Sequence, residues 1–388
     1  MENESLLNLR RFVIPEFIYG QGAINLTSRH IRNFGAKKVM LVTDPGIIQA
    51  GWVKKVEENL IQEGIQYVLF KDVTPNPKDY EVMAGVKTFS ENGCDIIVAI
   101  GGGSPLDCAK GIGIVSTNNK HILEFEGVDE VPIPGPPLIC IPTTAGTSAD
   151  ISQFAIIVDS SRKVKIAIIS KTVIPDVSLI DPETTTTMPT ELTAATGIDA
   201  FVHACEAYVS NLSFPITDLA ALEAIRLINE NLIHALNNPM DMKYRNNMMM
   251  ASLLAGMAFS NASLGLVHSM AHSLGGLLGL AHGVCNAVLL EYVIDFNFEA
   301  SVEKYTNISE ALNLDMKMQN TREKKSLLLN KIAQLRKDAG INITLGELGV
   351  GKKDLDQLAK NAIEDPCLAT NPRKPKLEDI KAIYERAL

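Results

Sequence analysis

The sequence predicts an α/β unit with a doubly wound, Rossmann-like parallel sheet, followed by an all-α unit. Three observations carry this reading. Up to about residue 185, short apolar runs alternate with helical patterns. The stretch Asp181–Pro189, DPETTTTMP, then interrupts with two prolines and four threonines, which suit a helix interior poorly. Beyond it, apolar residues recur at helical spacing, and no proline occurs between positions 240 and 365. Boundaries are therefore expected at 1–185 and 186–388, in keeping with roughly 150 residues per domain.

The elements follow in order. Lys38–Thr43, Gln66–Phe70, Asp95–Ile100 and Pro137–Ile141 are short, mostly continuous apolar runs. Strands covered on both faces of a parallel sheet have that texture. Between the first two, Val53, Val56, Leu60 and Ile61 recur at helical spacing and predict a helix over Trp52–Glu63. Strand–helix–strand alternation implies the doubly wound arrangement. A proline-rich connection, Val131–Pro137, leads into the fourth run, and extended segments are expected at 153–158, 164–169 and 177–180. The second unit shows amphipathic sets at Leu222, Ile225, Leu232 and Leu236, at Val302, Tyr305, Ile308 and Leu312, and at Leu328, Ile332 and Leu335. At the start, Phe12-Val-Ile-Pro15 is expected to form an edge strand that pairs with a second copy, giving a homodimer.

Composition narrows the functional class. Lys plus Arg number 36 against 45 Asp plus Glu, a net charge of −9. That argues against a nucleic-acid partner, which calls for a basic face, and against an anionic membrane surface. No apolar run approaches the ~20 residues of a bilayer span. The N-terminus MENESLLNLRRF has no apolar core of a secretory signal. Cysteines 94, 108, 140, 205, 285 and 367 are dispersed, with no C-x-x-C pair. They read as reduced thiols of a cytoplasmic protein.

Four motifs carry chemistry. Strand Asp95–Ile100 runs into Gly101-Gly-Gly-Ser104-Pro105 and a helix start. Glycines let a phosphate approach the backbone, and a helix N-terminus supplies free N–H groups. Ser104 suits the cap and Pro105 the first helical position. A tight turn without a ligand has the same composition. Asp44, directly after Val42-Thr43, can accept from a ribose diol, although Asp-Pro-Gly is also ordinary turn chemistry. The loop Pro142–Asp150 supplies hydroxyls at the sheet edge where ligands bind in open α/β folds. Finally, Asp199 and His203 stand four residues apart, as do His268 and His272, and His282 follows within an apolar setting. On helices each pair shares a face. One carboxylate with several imidazoles suits a divalent transition metal.

Together these residues resemble the iron-containing, or group III, alcohol dehydrogenases. The resemblance runs from Gly20-Gln-Gly22 to Asn371-Pro-Arg373. It includes Gly101–Ser104 with Asp107 and Lys110, Thr143–Thr147, Ala195–Asp199 with His203, Gly265–His268 with His272, His282-Gly283, and Glu364-Asp-Pro-Cys367. The methanol and 1,3-propanediol dehydrogenase branch is most similar. The resemblance implies the architecture that this family shares with dehydroquinate synthase, and NAD with a divalent metal, Fe(II) before Zn(II). It implies Asp199, His203, His268 and His282 as metal ligands, and His272 as a histidine between metal and nicotinamide. Imidazoles ordinarily titrate near neutrality, so His272 is the expected proton relay. Gly102, Gly103 and Ser104 are then the pyrophosphate loop. Asp44 favours NAD over NADP, and Asn76, Thr143, Thr144, Thr147 and Lys165 contact the cofactor. Phe259 and Cys367 correspond to substrate-pocket positions, and Phe154 is expected to line the pocket with them.

The expected reaction is hydride transfer between a small, neutral primary alcohol, or its aldehyde, and NAD. One departure from the family pattern is Ser148-Ala149-Asp150 in place of Gly-Ser-Glu. It is the support for a non-catalytic NAD-binding regulatory paralogue. A lyase of the dehydroquinate synthase type would need Lys and Arg around its anionic substrate, and the segments 199–203 and 263–283 contain neither.

Overall fold

Each of the four apolar runs between Lys38 and Ile141 becomes a strand in the computed structural model, which describes residues 10–388. Residues 1–9, most of the segment read above for a secretory signal, lie outside the described residues. The strands are β1 (Glu16–Tyr19), β2 (Lys38–Val42), β3 (Gln66–Phe70), β4 (Ile96–Gly101), β5 (Gly127–Val128), β6 (Leu138–Pro142), β7 (Phe154–Asp159), β8 (Val164–Ile169) and β9 (Val177–Ile180). Six form a sheet of order β1-β9-β6-β4-β2-β3, with every neighbouring pair parallel. The others form a small sheet of order β5-β8-β7.

Burial explains the continuous runs. Every residue of β4 and β6 is buried. The helices of this half are α1 (Thr27–Asn33), α2 (Pro45–Gln49), α3 (Trp52–Gln62), α4 (Asp79–Glu91) and α5 (Gly103–Asn118). Met40, Val42, Ile97 and Ala99 pack with Val82 of α4 and Ile112 of α5 on one face. Val39, Leu41, Ile96 and Val98 pack with Val53, Val56 and Leu60 of α3 on the other. The alternation within β2 and β4 is the two-residue period of a strand between two helical layers.

Two local expectations are corrected. The edge strand is Glu16–Tyr19, not Phe12–Pro15, and it pairs with β9 of its own chain. Residues 12–15 are irregular, and Val13 exchanges backbone bonds with the Asn261 side chain instead of a ladder. Helix α5 begins at Gly103 with Gly102 as its cap residue, so Ser104 and Pro105 lie inside the first turn. His30, which belongs to none of the motifs above, is buried on α1.

The second half is helical: α6 (Thr190–Val209), α7 (Pro215–Asn237), α8 (Met242–Ala262), α9 (Leu266–Leu278), α10 (His282–Asn297), α11 (Val302–Ala311), α12 (Thr321–Asp338), α13 (Leu355–Glu364) and α14 (Leu377–Ala387). They share one core, including Phe201, Ile225, Leu253, Met270, Leu289 and Tyr384. The connection Asp181–Pro189 is a packed turn rather than a loose linker. Thr184 and Thr185 are buried, and the Trp52 indole N–H donates to Thr187 Oγ1. Among the described residues, no single helix is long and apolar enough to cross a membrane. Helices α8 and α9 pass that test only as a pair bent by 99°, and both are packed into the helical core.

Candidate active site

A cavity of about 1020 Å³ opens along the C-terminal ends of the parallel strands and reaches α6, α9 and α10. It lies at the upper end of the roughly 300–1,000 Å³ range of ligand pockets. Open parallel sheets bind ligands at this edge.

Its sheet end is built from close approaches. Gly101 has φ +151°, and a Cβ there would sit 2.7 Å from Pro105 Cγ. A Cβ on Gly102 or Gly103 would press on Thr144 or Thr147, at 3.2 and 3.1 Å. The Thr143 amide donates to Gly101 O, while Thr143 Oγ1 is buried without a partner. The Asn76 N–H donates to Ser104 Oγ at 3.2 Å. Asp44 caps α2, accepting from the Gly46 and Ile47 amides. Asp44, Asn76, Gly102, Gly103, Ser104, Thr143, Thr144, Thr147 and Lys165 all line this cavity.

Helix α5 also fastens the small sheet to this wall. Lys110 Nζ, fully buried, donates to the carbonyls of Ser152 and Phe154. Asp107 accepts the Ile156 N–H, and burial pushes its carboxyl up to about 6. Phe154 is thereby held edge-on to Phe259, with ring centroids 5.6 Å apart.

At the other end three helices converge. Asp199 comes from α6, His268 from α9 and His282 from the first turn of α10. Their donor atoms all lie within 4.8 Å of one another. Asp199 Oδ1 is 3.8 Å from Nε2 of both histidines. His203, one turn after Asp199, stacks between His268 and Phe259 at 4.5 and 4.3 Å. Burial holds His203 down to about 4 and His268 to about 3, and it lowers His282 strongly, helped by the Lys165 charge. These imidazoles are therefore neutral, with lone pairs to give. A carboxylate with converging neutral imidazoles fits a divalent cation.

His272 stands beside this set rather than in it. Its Nδ1 is 2.8 Å from Asp365 Oδ2, and its ring stacks on that of His282 at 5.3 Å. Burial raises the Asp365 carboxyl, but the charge and hydrogen bond of His272 and the Cys367 N–H outweigh it and hold it low. His272, Phe154 and Phe259 line the cavity; Cys367 is fully buried behind Asp365 and is not part of the wall.

Three residues of the site were not singled out from sequence. Glu206 Oε2 lies 2.7 Å from His268 Nδ1. Asn286 Nδ2 lies 2.6 Å from Asp199 Oδ1. Asp365 holds His272. Helical spacing could have found two of them, since Glu206 follows His203 by three residues and Asn286 follows His282 by four. Lys165 also reaches this cavity, although the segments that carry the histidines hold no cation.

The Ser148-Ala149-Asp150 departure lies largely behind the wall. Ser148 has φ +50°, the left-handed region that favours glycine, and its hydroxyl donates to Ser252 O. Asp150 accepts from the Ser178 hydroxyl. Of the three residues only Ala149 lines the cavity. The departure therefore gives no support to a non-catalytic reading.

Comparison with known proteins places this geometry. The model described as "Iron-containing alcohol dehydrogenase" matches residues 15–182, and "Fe-containing alcohol dehydrogenase family, C-terminal" matches 193–388. Alcohol dehydrogenase 4 of Schizosaccharomyces pombe is 44% identical, over 97% of this chain and 89% of its own length. The NAD-dependent methanol dehydrogenase of Bacillus methanolicus is 39% identical, over 97% and 99%. A crystal structure of a 1,3-propanediol oxidoreductase superimposes with a TM-score of 0.95 at 40% identity, over 98% of this chain and all of that one. On these matches, which run through both the sheet and the helical half, the chain belongs to the iron-containing alcohol dehydrogenase family.

Proposed function

We propose that the chain oxidises a small, neutral primary alcohol, or reduces its aldehyde, using NAD and a divalent metal, with Fe(II) ahead of Zn(II). The observation that carries this is the single cavity joining the glycine loop to the Asp199, His268 and His282 donors. In this reading residues 1–185 form the cofactor unit and 186–388 the metal unit. The name of the Bacillus methanolicus relative supports NAD. The free, buried state of all six cysteines supports a cytoplasmic setting. A homodimer remains part of the proposal, without the strand at 12–15 as its basis.

Asp199, His203, His268 and His282 would hold the metal, which supplies Lewis acidity at the substrate oxygen when bound. The loop Gly102–Ser104 and the α5 N-terminus receive the pyrophosphate, and Asp44 receives the adenosine ribose and disfavours a 2′-phosphate. Asn76, Thr143, Thr144, Thr147 and Lys165 line the path between them. Phe259 and Phe154 shape the space above the metal residues and exclude water from the reacting carbon. Cys367 acts from behind Asp365 rather than by touching substrate. His272, held by Asp365, moves the proton of the hydroxyl. The fold's main task is to hold both reacting carbons close.

The test is anaerobic. Protein stripped with chelator and reloaded with Fe(II) or Zn(II) is assayed by NADH absorbance with short alcohols and diols. Metal-dependent turnover, lost in His268→Ala, is the expected result. NAD binding without turnover for any metal or alcohol would sink the reading.

A further inference from the structure

Glu206 hydrogen-bonds both the backbone and the ring of the segment that carries His268. It sits on α6 one turn beyond His203, and it is buried. Its Oε1 accepts the Val267 N–H at 2.6 Å, and its Oε2 accepts the Gly265 N–H at 3.0 Å and approaches the His268 N–H at 3.4 Å. The same Oε2 lies 2.7 Å from His268 Nδ1. These amides are the otherwise orphaned donors at the N-terminus of α9, where a carboxylate is electrostatically favoured. The remaining amide of that turn, Leu266 N–H, donates to Asn371 Oδ1.

The approach is close enough to dictate sequence. A Cβ at Gly265 would lie 2.9 Å from Glu206 Oε1 and 2.9 Å from Asn371 Oδ1. A larger residue there would push the carboxylate and the amide away from the turn.

Two contacts from opposite sides also fix the His268 tautomer. Burial pushes the Glu206 carboxyl up to about 7, against the pull of the α9 amides. Because both of its oxygens already accept those amides, it meets Nδ1 as an acceptor and Nδ1 carries the proton. On the far side of the ring, Asn286 Nδ2 lies 3.2 Å from Nε2. That amide nitrogen must be the donor end, because it is also 2.6 Å from the Asp199 carboxylate. It therefore meets a lone pair on Nε2, the nitrogen that faces Asp199 and His282.

We propose that Glu206 is a positioning residue for the metal centre. It sets the His268 tautomer so that Nε2 presents its lone pair to the ligand set, and it ties the α9 ligand to the α6 ligands through one buried carboxylate. The proposal rests on the metal-dependent reading above. Partners of this kind typically change metal affinity by about 10–100-fold.

The test uses the full chain free of metal, with Zn(II) competed against a chromophoric chelator. Glu206→Gln is expected to weaken Zn(II) binding about 10–100-fold while NADH binding stays as in the wild type. In a His268→Ala background the same substitution should add little, because its effect passes through His268. Equal affinity in Glu206→Gln and wild type overturns the proposal. So does an equal loss in both backgrounds, which marks a merely structural role. A second readout needs neither metal nor a Glu206 variant: the ¹⁵N signature of His268 in metal-free wild-type protein, assigned with His268→Ala. An Nδ1-protonated ring supports the proposal, and an Nε2-protonated ring overturns it. If the wild type bound no Zn(II) or Fe(II) while His268 was Nδ1-protonated, the metal-dependent reading would fail and the Glu206–His268 relationship would stand.

Discussion

Asp365 Oδ2 lies 2.8 Å from His272 Nδ1, and the other oxygen of the same carboxylate accepts the Cys367 backbone N–H at 2.8 Å. One side chain therefore ties the start of a C-terminal turn to a ring that lines the cavity. The carboxylate is held low by these donors, so it stays ionised and fixes the proton of His272 on Nδ1. Nε2 of His272 then keeps the lone pair.

Asp365→Asn is expected to lower kcat about 10–100-fold, the usual cost of losing an orienting partner. An amide presents only one acceptor atom and so cannot satisfy both donors. Metal content, measured by plasma emission spectroscopy, should stay at the wild-type level, because His272 stands outside the tight donor set. Loss of metal in step with activity would instead place Asp365 among the supports of the metal residues.

Gly283 shows how narrowly His282 is placed. A Cβ at Gly283 would sit 2.4 Å from the Ala195 carbonyl oxygen of α6. Gly283→Ala must push the α10 start away from α6, and His282 is the neighbouring residue. Overpacking of this kind costs about 1–3 kcal/mol. The expected outcome is a lower Tm together with faster metal loss to chelator. His282 is the candidate ligand with the most open side chain, and its Nδ1 has no partner to hold it. An unchanged chelation rate in a destabilised protein would show that His282 can follow the shift.

The sheet and its helices were legible because burial on both faces leaves a direct mark on sequence. Met40 and Val42 face one helical layer while Val39 and Leu41 face the other, so the whole run must be apolar. The helical half was legible for the same reason at a different period. Phe12–Pro15 was misread because apolar content alone does not choose between a ladder and a side-chain anchor. Asn261 exchanges two bonds with the Val13 backbone there and takes the place of a strand neighbour.

The site was legible where it depends on spacing within one helix and obscure where it depends on contacts between helices. Asp199 with His203, and His268 with His272, follow from four-residue separation. Glu206 and Asp365 act across about 60 and 90 residues of chain, on α9 rings that no local pattern links to them. The placement of the Ser148 departure was obscure for a related reason. Its loop belongs to the motif in sequence, but the Ser148 and Asp150 side chains turn inward to Ser252 and Ser178.

Asp44 offers a separable prediction about the cofactor. Its carboxylate lines the sheet end of the cavity and caps α2. Asp44→Ala should lower the preference for NAD over NADP in kcat/KM about tenfold, the factor that ~1.4 kcal/mol of lost repulsion represents. Loss of the cap should cost about 1 kcal/mol of stability. A preference unchanged in steady-state assays with both cofactors would leave Asp44 as a turn residue only.

Asp159 gives a pH dependence that is independent of metal and cofactor. It closes the β7–β8 hairpin, where Oδ1 accepts from the Ser161 amide and hydroxyl and from the Arg162 amide, and Oδ2 pairs with Arg162 Nε. Burial raises this carboxyl, but the donors of Ser161 and Arg162 outweigh it and hold it well below the usual range. A carboxyl lowered by folding binds fewer protons in the native state than in the unfolded chain. Its stabilisation is therefore complete above the ordinary value near 4 and is lost as the pH falls below it. Asp159→Asn should destabilise the protein by about 1–3 kcal/mol at pH 7, the range for a charged hydrogen-bonding group. Urea unfolding of both proteins at pH 7, 5 and 3.5 should show a constant gap at the first two values and a narrower one at the last. A gap of the same size at all three would mean that neutral hydrogen bonding, rather than the charge, holds this turn.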